Sequence, residues 1–93
     1  MALKHVNAST LTTASILFVV DSNARPLTPA NIHNGHSAAI FVGDNSIATS
    51  GATIGRTIAA SANQILYVNP NDVIYGISAA ASAAGAVVIT YSA

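Results

Sequence analysis

The chain has 93 residues, 52% of them hydrophobic, 5% aromatic and 6% charged, with no cysteine and no formal net charge. A chain this short makes one domain with a small core. Three scattered cations exclude a basic nucleic-acid-binding face. The high hydrophobic content excludes a disordered chain, and the lack of thiols excludes a disulfide framework.

The first residues alternate. Leu3-Lys4-His5-Val6 places apolar and non-apolar side chains in turn, as a short strand would. The polar tract Asn7-Ala8-Ser9-Thr10 reads as a linker. Residues 1–9 are therefore expected to form an arm ahead of a domain over residues 10–93. Leu3, Lys4, His5 and Val6 would pair with the sheet edge of a partner. The competing reading makes residues 3–6 the first strand of the domain's own sheet. The polar stretch 7–13 is unlike the apolar region of a secretory signal. The best apolar run, residues 14–20, includes Ser15 and is far too short to span a membrane.

Beta signals dominate the rest of the chain. Ile16-Leu17-Phe18-Val19-Val20 is a strand ending at the turn cluster Asp21-Ser22-Asn23. Arg25-Pro26-Leu27-Thr28-Pro29 is read as neither central strand nor helix, because two prolines remove two backbone donors. A short strand over residues 31–33 meets Asn34-Gly35, the strongest tight-hairpin signal in the chain. Strands are expected over residues 38–42, 46–48, 52–54, 57–60, 65–68, 73–77 and 87–91. Asn69-Pro70-Asn71-Asp72 is a turn with proline at its second position. The alanine-rich stretch 79–86 contains Gly85 and lies between strong strands, so it reads as a connection rather than a helix. The expected fold is an all-β antiparallel sandwich, or a barrel-like variant, of seven to eight short strands.

Chemistry is sparse. His33 and His36 flank a tight turn and are the weak candidates for a metal; a third ligand would have to come from His5, an aspartate or another copy. Their ordinary reading is as polar turn residues. Asp21, Asp44 and Asp72 all fall in turns, where aspartate bonds nearby backbone. No G-x-S-x-G elbow exists, and no carboxylate pair is set in an evident cleft. No enzyme activity, cofactor or resident metal is expected. Phe18, Phe41, Tyr67, Tyr75 and Tyr91 lie in strands and read as packing residues.

Several segments carry a resemblance in their order. Asn31-Ile32-His33-Asn34 precedes Ala39-Ile40-Phe41-Val42-Gly43 and Ile47-Ala48-Thr49-Ser50-Gly51. Asn69-Pro70-Asn71-Asp72-Val73-Ile74-Tyr75-Gly76-Ile77-Ser78 then leads to Ala86-Val87-Val88-Ile89. Upstream, residues 10–20 with Asp21 and Arg25 extend the pattern. Over residues 10–91 the chain resembles the small β-rich virion proteins of tailed bacteriophages: head decoration proteins, head fibres and minor tail components. It departs at Pro26 and Pro29, and at Asn71, where such proteins carry glycine.

The resemblance implies a decoration protein on the outer surface of the capsid, contacting the major capsid protein and reinforcing the shell. Head fibre or minor tail protein is the alternative. A small lectin-like module is the alternative from another class. A homo-oligomer follows from the small core and the near absence of charge, and the resemblance implies a homotrimer, since such decoration proteins often sit on threefold positions. Neither nucleic acid nor membrane is an expected partner.

Overall fold

The computed structural model describes residues 2–48 and 55–93. Eight strands form among them: β1 (Leu3–Ala8), β2 (Ser15–Val19), β3 (Thr28–Asn34), β4 (Ile40–Gly43), β5 (Arg56–Ile58), β6 (Asn63–Val68), β7 (Val73–Ser78) and β8 (Val87–Ser92). They make two four-stranded sheets, ordered β1-β8-β3-β6 and β2-β7-β4-β5, with all neighbours antiparallel. The pairs nest: β1 with β8, β2 with β7, β3 with β6, β4 with β5. The chain is thus one long hairpin rolled into a sandwich, the double-Greek-key arrangement of a jelly roll. The all-β sandwich expected from strand patterning is what forms.

Alternation explains the core. Ala30, Ile32, Val68, Val87, Ile89 and Tyr91 of the first sheet face Phe18, Ile40, Val42 and Ile58 of the second. Phe18 and Tyr91 meet as tilted rings, 6.0 Å between centroids. The Tyr91 hydroxyl accepts a hydrogen bond from Asp21 N–H at 3.0 Å, which satisfies its polar tip. Filling the core with Val, Ile and Ala leaves little room for error. Truncating a fully buried Ile32 or Ile89 costs about 2–5 kcal/mol.

Four expectations need correction. The free N-terminal arm is not free. Leu3–Ala8 is an edge strand whose every residue is paired with β8, and Ala2 and Ala93 extend the ladder with two further hydrogen bonds. Leu3 and Val6 also point to opposite faces, because a strand alternates with period two. Leu3 and His5 face outward, while Val6 packs on the core and Lys4 reaches Asp21.

The second correction is Pro29, which lies within β3, between β8 and β6. Asn34 donates to Ala62 O on the β6 side and Gly35 to Ala86 O on the β8 side, so odd-numbered residues of β3 turn their amides toward β8. The β3–β8 register begins only at Asn31. The missing amide of Pro29 therefore falls where no ladder bond is made.

Third, Asn34-Gly35 is no hairpin turn. β3 and β4 belong to different sheets, and neither residue has positive φ. Gly35 is needed for another reason: a Cβ there would press on the Ala86 carbonyl oxygen. Fourth, residues 46–48 contribute only an isolated bridge at Ala48. The strand expected at residues 52–54 lies outside the described residues. Where positive φ was tolerable on chemical grounds it does occur: Asn71 has φ 66° in the turn closed by Asp72 N–H to Asn69 O at 3.1 Å.

Candidate functional site: the uncharged end of the sandwich

Neighbouring strands run antiparallel, so alternate connections gather at the same end. One end holds residues 9–14, 35–39, 59–62 and 79–86. The other holds residues 20–27, 44–48, 55 and 69–72, with Ala2 and Ala93. All six charged side chains belong to this second end. Asp21 and Arg25 lie in its first connection and Asp44 in its next. Arg56 opens β5, Asp72 sits in its last turn, and Lys4 near the N-terminus reaches over to Asp21. The first end is Ala, Ser, Thr and Gly, with Leu11 and His36 as its large side chains.

The uncharged end is closely stitched. Asn34, fully buried, is its hub. Its side-chain amide donates to the carbonyls of Ala38, Ile58 and Ala59 at 3.0, 3.0 and 3.2 Å. Its side-chain oxygen accepts the His36 N–H at 2.9 Å. Its backbone bonds Ala62 O and Ser61 N–H. Three segments of chain are thus tied through one side chain.

A second knot joins residues 9–14 to 79–86. The Ser78 hydroxyl donates to Ala80 O at 2.6 Å, so the Thr10 hydroxyl is the donor in its 2.7 Å bond to Ser78. Thr10 N–H donates to the Ser82 hydroxyl, Ser82 N–H to Thr10 O, and Ser78 N–H to Leu11 O. No buried side-chain polar atom lacks a partner among the described residues. Gly85, with φ 73°, allows the tight turn in which Ala86 N–H meets Ala83 O.

At the charged end, residues 20–27 are tied to 69–72 by Val20 N–H to Asp72 O, Asn71 N–H to Val20 O and Leu27 N–H to Asn69 Oδ1. Its turns are held by local aspartate bonds: Asp21 accepts the Asn23 N–H, Asp44 accepts the N–H and hydroxyl of Ser46, and Asp72 accepts the Asn69 N–H. Asp21 titrates below its ordinary 3.8, first through the Asn23 amide bond and then through Lys4. Asp44 is also lowered, through the hydroxyl and amide of Ser46. Among the described residues the one ion pair is Lys4 Nζ to Asp21 Oδ2 at 3.3 Å.

The candidates from the sequence disperse. Leu3 and His5 lie on the outward face of β1, with His5 Nε2 3.0 Å from Asn7 Oδ1. His33 is on the outward face of β3 and bonds Asn63 at 2.9 Å. His36 is at the uncharged end, its Nε2 3.1 Å from Ala80 O. Among the described residues no three potential metal ligands gather. The chemistry this arrangement offers is surface recognition: small side chains on loops fixed by hydrogen bonds. No protein-family model, curated protein or solved structure matches this chain.

Proposed function

We propose that this protein is a structural virion component, a decoration protein that docks on the outside of a tailed-phage head and reinforces it. The carrying observation is the segregation of charge. Burying an ion against a partner costs several kcal/mol unless a counter-ion meets it. An end without ions avoids that cost, and interface centres are depleted of charge for this reason. The loops are already ordered by Asn34 and Thr10, so docking loses little conformational entropy. The charged end then faces water. A small contact of this kind gains strength when many copies bind a repeating shell. The resemblance to small phage virion proteins names the shell, and the major capsid protein as partner.

A jelly roll alone does not choose among uses, since the architecture also serves lectins. The deciding experiment is co-sedimentation of the purified protein with heads and with separated tails of the phage encoding it. Saturable binding to heads supports the proposal. Binding to tails alone, or to a glycan array with no head binding, overturns it.

A further inference from the structure

The edges of the first sheet are unlike those of the second. In the second sheet, β5 has three residues and β2 is broken by a bulge between Ile16 and Phe18, both devices that discourage pairing with another chain. In the first sheet, β6 and β1 are each six residues long and pair their inner neighbours without a register shift. β6 carries no charge and no proline. The one charge of β1, Lys4, turns inward to Asp21 and leaves the edge clear.

The open backbone groups of both edges can be assigned. Asn34 donates to Ala62 O, so even-numbered residues of β6 face β3 and Asn63, Ile65 and Tyr67 face outward along the edge. Ala2 and Ala93 bond each other reciprocally, so even-numbered residues of β1 face β8 and Leu3, His5 and Asn7 face outward. Those six residues also hold the outward side chains of their strands.

We propose that β6 of one copy pairs antiparallel with β1 of the next, extending the first sheet from chain to chain. Continuing the existing rows without stagger sets Tyr67 opposite Leu3, Ile65 opposite His5 and Asn63 opposite Asn7. The row is already laid out inside one copy: Leu3 pairs Ser92, and Pro29 pairs Tyr67 at the far edge. Tyr67 and Leu3, exposed at 67% and 72%, then cover each other, and the asparagines meet. Every outward N–H and C=O of the two edges finds a partner.

A two-fold pairing of β6 with itself would instead set Tyr67 against Asn63 and leave β1 open. It would also point the uncharged ends in opposite directions. The head-to-tail pairing uses both edges and keeps all those ends on one side. Because it is heterologous, it closes as a ring or runs on as a filament. The ring is the form proposed here, with three the number of copies that the resemblance to decoration proteins implies.

The chain has no cysteine, so introduced pairs report cleanly. In Leu3→Cys/Tyr67→Cys the two thiols of one copy are three strand spacings apart, about 14 Å, and cannot bridge. Oxidation is expected to link copies into a covalent oligomer of one closed size. Ile65→Cys alone is expected to stay uncrosslinked, and the unmodified protein to sediment as that same oligomer. A crosslinked Ile65→Cys dimer, an uncrosslinked double variant, or a sedimenting monomer would each overturn the proposal. The experiment uses no phage head, so its failure leaves the docking reading untouched.

Discussion

The two ends of this sandwich solve the same problem, closing off the core, by different chemistry. At the charged end each turn is stapled locally by its own aspartate, over two or three residues. At the other end, Asn34 and the Thr10–Ser78 pair join segments distant in sequence, such as residues 10 and 78. The loops at the charged end are joined as well, by Leu27 N–H to Asn69 Oδ1, Val20 N–H to Asp72 O and Asp21 N–H to the Tyr91 hydroxyl. These bonds run through backbone amides, without a fully buried polar side chain like Asn34 among the described residues. Long-range knots make four loops into one rigid surface. The difference shows that rigidity here comes from buried hydrogen bonds, with charge kept away from the surface they fix.

The largest effect should follow from cutting a knot. Asn34→Asp keeps the shape but loses the amide donors and sets a carboxyl against three carbonyl oxygens. Unfolding measured in urea should show a loss of about 3 kcal/mol or more, and Asn34→Ala about 2–3 kcal/mol. Asp44→Asn, at an exposed local staple, should leave the urea midpoint close to that of the unmodified protein. Equal losses at the two ends would erase the distinction.

Deleting residues 1–8 is the next test. It removes a whole strand and exposes Val87, Ile89 and Tyr91 at a new edge. The truncated chain should lack a cooperative thermal transition. A folded product would restore the free-arm reading.

The acid side of the pH profile probes the charged end. Asp21 and Asp44 both titrate below 3.8 in the folded protein. The stability they add is fully present above that value and is lost as pH falls through their lowered folded values. Melting temperature should therefore decline below about pH 4. Asp21→Asn/Asp44→Asn should flatten that decline. An unchanged slope would show that these bonds add nothing.

The smallest effect concerns Leu27, exposed at the charged end with φ 56°. Leu27→Asn relieves a left-handed backbone strain and should stabilise by about 0.5–1 kcal/mol in thermal denaturation. A loss instead would mean that Leu27 packs in solution.

Much of the fold was legible in period-two patterning. Residues 73–77 and 87–91 match β7 and β8 to within one residue, and Ile16-Leu17-Phe18-Val19 falls within β2. The Asn69-Pro70-Asn71-Asp72 turn was legible because proline fixes its own φ and asparagine tolerates the positive φ the turn requires. Pro29 was misread because proline's cost depends on which side of the strand its amide would face, and that is set by strand order. Asn34 was misread as a turn residue because its burial depends on Ile58 and Ala59, over twenty residues away. The uncharged end left a usable trace. Once the strands are placed, connections with and without charge alternate along the chain, and antiparallel order sends every other connection to the same end. The β6–β1 complementarity left none, since it needs the register of three ladders.

Docking through the uncharged end is tested most directly by moving one charge between ends. Ala84 and Ser22 are both exposed, and each follows the first residue of a tight turn, 83–86 and 21–24 respectively. Ala84→Lys and Ser22→Lys therefore add the same ion at opposite ends of the sandwich, and circular dichroism melts should confirm that both variants stay folded. In co-sedimentation with heads, Ala84→Lys should lose at least about tenfold in affinity, while Ser22→Lys binds as the unmodified protein does. Full binding by Ala84→Lys, or loss confined to Ser22→Lys, would contradict the account.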